Sequence, residues 1–337
     1  MNITICGGGN LGHVCAGFLA AHEGHEVSLL TTRPQAWAGT VDVADCRGQV
    51  FHGVLSRISN RPEDVIPGAD VVLVCLPGFA IGSLLSSIAP WLRPSCLVGT
   101  VVSSTGFFFE AFKHLPGTQP LFGFQRVPFI SRIVSYGQQA ELKGYKDSLS
   151  VAVEQTDDKE SVRQMLQRLF LTPVRLLGSH YEVSLSNSNP LLHTSRLYTM
   201  WHDWKPGVTY DRVPGFYSEW TLEASRLYIA MDNELQLTLK SLGLPAGCIP
   251  TVLDYYESTD AASLTRKLCS IAAFQGIPSP MRVCQDGRYE PDFNSRYFTE
   301  DFPYGLRFAR DVARQNGVAC PHMDEVMDWG LSRLQSV

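Results

Sequence analysis

The first residues with an evident chemical use are three glycines near the start of the chain. Gly7, Gly9 and Gly12 have G-x-G-x-x-G spacing and directly follow a short apolar strand. In this pattern the first glycine permits a tight turn, the second lets the backbone approach a pyrophosphate, and the third allows close packing of helix on strand. The free N–H groups at the helix start, around Asn10 and Leu11, would then hold the phosphate charge. The motif predicts a dinucleotide site because a strand precedes it and a helix follows it.

The residues after the second strand indicate which dinucleotide to expect. An NAD site usually has an Asp or Glu there, about 20 residues after the glycines, which bonds the ribose 2′-OH. This chain has Thr31, Thr32 and Arg33 instead. Because no carboxylate would repel a 2′-phosphate and Arg33 could pair with one, NADP(H) is favoured and NAD(H) is the alternative. Arg33 could instead stack on the adenine or point into solvent.

A second candidate for chemistry is the histidine in the stretch SNSNPLLHTSRLY. Asn189 is predicted to cap a helix in which Pro190 is the first residue, so His193 would lie in the first turn. A histidine there is either a packing residue or an acid–base group, and a nearby carboxylate would fix its tautomer for the second role. The stretch by itself does not decide between the two.

The elements that would position the glycine motif alternate between strand and helix. Apolar stretches predict strands at 2–6, 26–30, 70–76, 96–102, 148–154 and 173–177, with amphipathic helices between several of them. Near-continuous apolar strands are typical of parallel sheets that helices cover on both faces. We therefore predict an α/β fold whose residues 1–182 form a Rossmann-like, doubly wound dinucleotide-binding domain.

From residue 187 onward the pattern changes to helices. Amphipathic stretches predict helices over about 218–242 and 304–315, and Gly317 follows the latter at a position where a left-handed C-cap is common. Residues 187–337 are therefore predicted to form a mainly α-helical domain for substrate binding and catalysis. Asp232 and Glu234, inside the long helix, are expected to be structural.

Composition limits the classes of function. Of 337 residues, 45% are hydrophobic and 18% are charged, which is typical of a globular protein large enough for two domains. A net charge of −5 without a basic run argues against a nucleic-acid partner. Nine cysteines with irregular spacing and no CxxC predict reduced thiols and no zinc site. The start of the chain is unlike a signal peptide and no stretch is long and apolar enough for a membrane span, so we expect a cytoplasmic protein without membrane association.

Together these motifs resemble the opine dehydrogenases of the octopine/nopaline dehydrogenase type. The resemblance spans nearly the whole chain and rests on the segments CGGGNLGH, VVLVCLPGFA, FGFQRVPFISR, NPLLHTSRLY, FYSEWTLEASRLYIAMDNE and RYFTEDFPYGL. That family uses NAD(P)H to condense the amino group of an amino acid reductively with an α-keto acid. The resemblance thus implies small-molecule substrates, with pyruvate as the default keto acid, and it is compatible with a homodimer.

The resemblance also implies roles for single residues. His193 matches the family's catalytic histidine, Asp301 the carboxylate that pairs with it, and Arg296 an arginine that holds a substrate carboxylate. Pro77 lies in a segment that resembles the family's cofactor domain, so it is expected near the dinucleotide. The chemistry agrees, because reduction of C=N or C=O needs a positioned acid and a guanidinium suits bidentate carboxylate recognition.

Two further residues are candidates for substrate contacts. Gln125 and Arg132 flank a predicted loop that we expect to face the cleft between the domains, where such folds bind ligands. The aromatic-rich segment TSRLYTMWHDWKPG after His193 differs from the smaller residues that are usual in the family. It therefore leaves the identity of the substrate pair open.

Two other functions remain open at this stage. A dehydrogenase like the ketopantoate reductases would share the first domain and reduce a keto acid to a hydroxy acid, but it typically uses a lysine and has no His–Asp pair. A nucleotide-binding sensor without catalysis would bind the cofactor and turn nothing over. NADPH oxidation that never needs an amine would favour the first, and cofactor binding without turnover would favour the second.

Overall fold

The strands predicted around the glycine motif form the centre of a large sheet in the computed structural model, which describes residues 1–334. In chain order the strands of the first part are β1 (Asn2–Cys6), β2 (Glu26–Leu30), β3 (Thr40–Asp45), β4 (Val50–Val54), β5 (Arg57–Ser59), β6 (Val71–Val74), β7 (Leu97–Thr100), β8 (Leu121–Phe124), β9 (Phe129–Ser135), β10 (Gln139–Tyr145), β11 (Leu149–Glu154) and β12 (Val174–Leu176). The large sheet has the order β12-β11-β8-β7-β6-β1-β2-β5. Its six strands from β8 to β5 run parallel, whereas β11 pairs antiparallel with β8 and β12 follows β11. The α/β class is confirmed, with a reversed pair at one edge.

Six helices accompany these strands: α1 (Asn10–Ala20), α2 (Pro62–Val65), α3 (Gly78–Ile88), α4 (Phe107–His114), α5 (Lys159–Phe170) and α6 (His180–Ser184). Two apolar clusters result, one on each face of the sheet, because alternate residues of a strand point to opposite faces. Ile5 of β1 packs in the cluster that contains α1 and α5, whereas Cys6 packs in the cluster that contains α3 and α4. Parallel strands covered on both faces place the loops after β1, β2 and β6 at one edge, where such folds bind ligands.

The sequence prediction missed a second sheet of four strands. It has the order β4-β3-β10-β9 and packs its inner face on α1. The contact is close, because a Cβ at Gly17 of α1 would come within 2.5 Å of Val43 Cγ2 and 2.8 Å of Val41 O. Gln125 and Arg132 were predicted to flank a loop, and this is wrong for Arg132, because β9 begins at Phe129 and contains it.

The chain divides into two compact units, Met1–Ser186 and a second that begins at Asn187. The second is mainly helical, with α7 (Asn189–Trp201), α8 (Leu222–Ser241), α9 (Val252–Tyr255), α10 (Ala261–Ser270), a π-helical segment (Tyr297–Leu306), α11 (Arg307–Gln315) and α12 (Pro321–Leu334), plus a hairpin of β13 (Met281–Val283) and β14 (Tyr289–Pro291). The long helix starts four residues later than predicted, at Leu222, because the Thr221 side chain caps it by accepting a bond from the Ala224 N–H. Gly317 has φ +70°, as the predicted C-cap requires.

The predicted start of α7 was wrong by one residue. Asn189 is already the first helical residue, Ser188 is the capping position, and neither side chain caps the helix. The Asn189 N–H donates a hydrogen bond to Asn187 Oδ1 at 3.2 Å. His193 is consequently the fifth residue of α7 and is buried.

Close packing brings the π-helical segment to two neighbouring helices. A Cβ at Gly305 would overlap the Pro190 ring of α7, and a Cβ at Gly330 of α12 would overlap the Phe302 ring. Pro303 lies inside the segment and Tyr304 has non-helical torsion angles of φ −116° and ψ 15°. A proline inside a helix removes a backbone hydrogen bond, so the irregular geometry around Pro303 has a local cause. Across residues 1–334, no helix combines the length and apolar character that crossing a membrane would take.

Candidate active site

The glycine motif forms a tight turn between β1 and α1. Gly7 has φ +124°, a region that L side chains rarely adopt, and its N–H donates to Leu30 O at 3.0 Å. A Cβ at Gly7 would also come within 2.5 Å of Cys75 O, and a Cβ at Gly12 would overlap Gly7 O. Gly9 differs, because a Cβ there would have no neighbour within 4 Å. The space beside Gly9 is therefore open to an approaching ligand.

The start of α1 suits an anion. Gly9 is the capping residue and no side chain caps the helix, so the first N–H groups are left to other partners. The Asn10 side chain is used elsewhere, because its Oδ1 accepts a bond from the Ile133 N–H of β9 at 2.8 Å. The contribution of Asn10 and Leu11 to a phosphate would thus come from the backbone.

His13, one turn into α1, joins this turn to the small sheet. Its Nε2 accepts a bond from the Gly137 N–H at 2.7 Å, so its proton is on Nδ1, which donates to Gly9 O at 2.9 Å. The ring stacks on Trp37 with centroids 4.1 Å apart. Burial, together with the positive charge of Arg33, lowers the pKa of His13. The neutral imidazole therefore fixes the turn between β9 and β10 beside the glycine motif.

A groove of about 570 Å³ runs from the glycine turn past the end of β2. Its lining includes these of the predicted cofactor residues: Gly7, Gly9, Thr31, Thr32 and Arg33. Other predicted residues, namely Asn10, Leu11, Gly12 and Pro77, are not part of this lining, and Pro77 instead precedes α3 as its capping residue. The groove fits an elongated ligand whose phosphate end lies at the turn.

Asn60 and Tyr136 are polar lining residues that sequence reasoning missed. Asn60 follows β5, and Tyr136 reaches the groove from the turn after β9. The Arg33 guanidinium lies over the Tyr136 ring at 4.2 Å from its centroid, a cation–π contact. Tyr136 is far from the glycines in sequence, and the signal that could have found it is the strand alternation of residues 129–145 that predicts a second sheet.

The second unit brings His193 and Asp301 together, although 108 residues separate them. His193 Nδ1 lies 2.8 Å from Asp301 Oδ2, and the two side chains are 11% and 20% exposed. The carboxylate accepts a hydrogen bond from Nδ1–H. In the neutral ring, Nε2 is therefore the nitrogen that exchanges protons. The π-helical segment carries Asp301 and packs against α7, so the segment's position sets this distance.

His193 Nε2 also has a partner, which sequence reasoning missed. The Tyr217 hydroxyl lies 2.7 Å from it, and Tyr217 is only 5% exposed. The Tyr297 ring packs edge-on against the imidazole, with centroids 4.8 Å apart. Burial, with smaller effects from Tyr297, Tyr256 and Asp301, raises the pKa of Tyr217. Tyr217 is therefore a neutral phenol held against the imidazole.

The remaining predicted substrate residues are placed differently. Arg296 is the capping residue just before the π-helical segment, with 84% of its side chain exposed, and it forms a bidentate pair with Glu300 at 2.9 and 2.8 Å. The Gln125 side chain donates to Glu182 O at 3.4 Å. Arg132 lies inside β9, exposed and opposite Glu141, so it does not flank a loop as predicted. Of these three, Arg296 alone adjoins the segment that carries Asp301.

The part of the chain that the structure describes contains no set of side chains suited to bind a metal ion. No three His, Cys, Asp or Glu side chains of residues 1–334 are grouped so that they could hold a metal ion. None of the nine cysteines, which all lie within residues 1–334, forms a disulfide.

Comparisons with known proteins agree with this division. The family described as NAD/NADP octopine/nopaline dehydrogenase, alpha-helical domain, matches residues 176–332. The ketopantoate reductase PanE/ApbA family matches residues 3–123, which form most of the dinucleotide-binding fold. The helical match contains His193 and Asp301, whereas the ketopantoate reductase match ends before either residue.

Several relatives that match over nearly the whole chain are named as opine dehydrogenases. The chain is 28% identical to opine dehydrogenase of Haliotis discus hannai, with 98% of this chain and 89% of the relative covered. It is 27% identical to octopine dehydrogenase of Pecten maximus, with 99% and 90% covered. A solved structure of octopine dehydrogenase with NADH and L-arginine superposes with a TM-score of 0.86 at 26% identity, covering 99% of this chain and 90% of that one.

The Rossmann-like fold with its glycine turn, followed by a helical unit with a His–Asp pair, defines a nicotinamide-dependent oxidoreductase. Its sequence and structural likeness then specify the branch. Over residues 176–332 the chain matches the helical domain of the octopine/nopaline dehydrogenase family, and over nearly its whole length it resembles opine dehydrogenases. It is an enzyme of the type that reductively condenses an amino acid with an α-keto acid, as the resemblance predicted.

Proposed function

We propose that His193 and Asp301 form the acid–base pair of an NADPH-preferring opine dehydrogenase that joins an amino acid to pyruvate or a similar small α-keto acid. The observation that carries the proposal is the 2.8 Å contact between His193 Nδ1 and Asp301 in a largely buried setting. A carboxylate on Nδ1 fixes the tautomer and stabilises the imidazolium, so the pair can deliver a proton near neutral pH.

The reaction needs one proton and one hydride. The substrate amine adds to the keto carbon to give a carbinolamine, whose hydroxyl leaves as water only when it is protonated. The His193–Asp301 pair is the proton source for that departure. When bound, the reduced nicotinamide supplies the hydride that reduces the resulting C=N carbon. The open space at Gly9 and the uncapped start of α1 fit its pyrophosphate.

The cofactor preference is argued from the groove after β2. No Asp or Glu occurs among the described residues that line it, and the exposed Arg33 is held over Tyr136 at the groove. A 2′-phosphate would meet a guanidinium and no opposing charge there. NADPH is therefore favoured, and NADH remains a usable cofactor because nothing in the lining excludes a 2′-hydroxyl.

The preference is tested with Arg33→Gln. We expect kcat/KM for NADPH to fall by about 10-fold or more, since charge-assisted hydrogen bonds contribute about 1.5–3 kcal/mol, whereas kcat/KM for NADH should hardly change. Arg47→Gln is a matched control, because Arg47 also lies over a tyrosine, Tyr145 at 4.4 Å, but outside the groove lining. Equal losses with both cofactors would contradict the assignment.

Arg296 is proposed to hold the carboxylate of a substrate, in competition with Glu300. Its large exposure leaves guanidinium edges accessible, and its position five residues before Asp301 puts it at the start of the segment that carries this carboxylate. Arg296→Gln should raise KM for the keto acid or the amino acid, and Arg282→Gln, which breaks the comparable Arg282–Glu290 surface pair, should not. An unchanged KM for both substrates in Arg296→Gln would remove this role.

The proposed reaction is tested by following NADPH oxidation with a panel of keto acids, each with and without amino acids. We expect oxidation only when both substrates are present, and a secondary-amine product by mass spectrometry. Oxidation with the keto acid alone would favour a hydroxy-acid dehydrogenase, to which the match over residues 3–123 also relates. Cofactor binding without oxidation under any combination would favour a sensor.

A further inference from the structure

The Tyr217 hydroxyl occupies the position from which a substrate atom would have to approach His193. Asp301 binds Nδ1, so Nε2 is the only ring nitrogen left, and Tyr217 Oη lies 2.7 Å from it. The lone pair of an imidazole nitrogen points in one direction, in the plane of the ring. A substrate therefore cannot form a linear hydrogen bond to Nε2 while Tyr217 holds it.

We propose that Tyr217 is itself the catalytic residue that exchanges the proton with the substrate, and that the His193–Asp301 pair acts behind it as the proton reservoir. This inference rests on the proposed function, because it assigns the last step of that proton's route. It extends the dyad to a linear relay of carboxylate, imidazole and phenol.

The Tyr217 ring is held in place by aromatic packing. It stacks on Phe274 with centroids 4.1 Å apart and planes at 19°, and on Trp220 with planes at 9° and centroids 6.2 Å apart. Phe216 meets it edge-on at 4.9 Å. Aromatic pairs of this kind each contribute about 0.5–1.5 kcal/mol beyond the area they bury. Rotation of the phenol away from His193 would break these contacts, so displacement by substrate is unfavourable.

The backbone that carries Tyr217 is held from the same helix as His193. Arg196, one turn after His193 on α7, donates from Nε to Phe216 O at 3.1 Å and from Nη2 to Glu219 O at 2.7 Å. Burial lowers the pKa of Arg196 to about 10, which still leaves it charged near neutral pH. The two carbonyls flank Tyr217, so Arg196 acts as a positioning residue that fixes the phenol relative to the imidazole.

The relay balances. As the carbinolamine C–O bond breaks, the Tyr217 O–H proton moves to the departing oxygen, which leaves as water. At the same time the proton on His193 Nε2 moves to Tyr217 Oη. The imidazolium becomes neutral, the phenol is unchanged, and the substrate becomes an iminium ion that the hydride then reduces. A tyrosinate never has to form, which agrees with the raised pKa of this buried phenol.

The test uses the full-length enzyme with NADPH, a keto acid and an amino acid, and compares Tyr217→Phe with wild type. We expect kcat to fall by about 10²-fold or more, as when a general acid is lost, with an unchanged NADPH dissociation constant from fluorescence titration. Rates in mixtures of H₂O and D₂O should show two protons moving in wild type, as a curved dependence. Tyr198→Phe is the matched control. Tyr198 lies on α7 with His193, but its hydroxyl bonds Glu325 of α12 at 2.6 Å.

Several outcomes would overturn the relay. A kcat within about 3-fold of wild type in Tyr217→Phe would make Tyr217 a packing residue, and a lower KM with a higher kcat would show that the hydroxyl blocks Nε2. A linear isotope dependence in wild type would exclude two moving protons, and this measurement stands even if the variant does not fold. Failure of the proposed function is separate, because it would appear in wild type as oxidation that needs no amine.

Discussion

The helical unit contains two histidine–carboxylate pairs that are nearly identical in length. His193 Nδ1 lies 2.8 Å from Asp301, and His322 Nδ1 lies 2.7 Å from Glu234. Their surroundings are opposite. In the first pair the histidine is buried and the carboxylate is partly exposed, whereas in the second the histidine is 47% exposed and the carboxylate 7%.

The carboxylates also have different partners. Glu234 accepts bonds from the backbone N–H groups of His322 at 2.8 Å and Met323 at 3.0 Å, at the start of α12. It is therefore a helix-capping group, and His322 is an accessory to it. Asp301 instead orients a ring whose second nitrogen meets the Tyr217 hydroxyl.

The comparison shows that distance does not identify a catalytic pair. Three more such pairs lie in the first unit: His52–Asp42 at 2.8 Å, His180–Glu154 at 3.1 Å and His114–Glu110 at 3.3 Å. Within residues 1–334, His193 is the member of these pairs that combines a buried ring with a phenol on its second nitrogen. The identity of the group on the free nitrogen carries the functional information.

Replacing each histidine by alanine should separate the two pairs most strongly. His193→Ala removes the proposed proton source, so kcat should fall by about 10³-fold, within the range for a lost acid–base group. His322→Ala should leave kcat unchanged and alter only the start of α12. Steady-state rates of both variants check this. Comparable activity of the two variants would mean that His193 packs and does no chemistry.

The carboxylates should differ in which property they control. Glu234→Gln puts an amide N–H against backbone donors at the start of α12, so the free energy of unfolding should fall by about 2 kcal/mol with kcat retained. Asp301→Asn should lower kcat by about 10²-fold, because the imidazolium loses its counter-charge. Urea unfolding measures the stability of both variants, and initial rates measure their kcat. A stability loss without a rate loss in Asp301→Asn would place Asp301 with Glu234 as a structural group.

Asp232, another carboxylate of the helical unit, sharpens the comparison because it accepts bonds from Val252 and Gln236 and not from a histidine. Burial raises its pKa to about 6 from an ordinary value of 3.8, although it accepts a bond from the Val252 N–H. The folded state thus binds the proton more tightly than the unfolded state, so this group lowers stability as pH rises from about 4 to about 6. Asp232→Asn should gain about 2 kcal/mol relative to wild type over that range.

The measurement for Asp232 is urea unfolding of wild type and Asp232→Asn at about pH 4.5 and about pH 7.5, on either side of most of the titration. The advantage of the variant should be small at the lower pH and larger at the higher one. A difference that does not change with pH would show that Asp232 titrates at an ordinary pKa.

Much of the first unit could be predicted because parallel strands that are buried on both faces consist of nearly continuous apolar residues. The segment DVVLVCL is an example, and β6 occupies Val71–Val74 within it. The small sheet was missed because its strands are buried on one face only, which gives short and weak alternation such as TVDVAD in β3. The groove residue Tyr136 could not be predicted without that sheet.

The His–Asp pair could be predicted only through the family resemblance. A contact across 108 residues depends on how α7 and the π-helical segment pack, which no local pattern specifies. Tyr217 shows the limit more clearly. It lies 24 residues from His193, outside any helix, and its position depends on the buried Arg196 that binds the backbone on either side of it.

Gly305 and Gly330, which allow the π-helical segment to pack closely on α7 and α12, limit which amino-acid substitutions this enzyme tolerates. Gly305 touches the Pro190 ring and Gly330 the Phe302 ring, so any larger residue there would push Asp301 away from His193. Neither glycine has a side chain that could take part in the chemistry. In a library of random variants, positions 305 and 330 should nevertheless be depleted as strongly as the acid–base pair itself, and a survey of intolerant positions would overstate the size of the reactive centre.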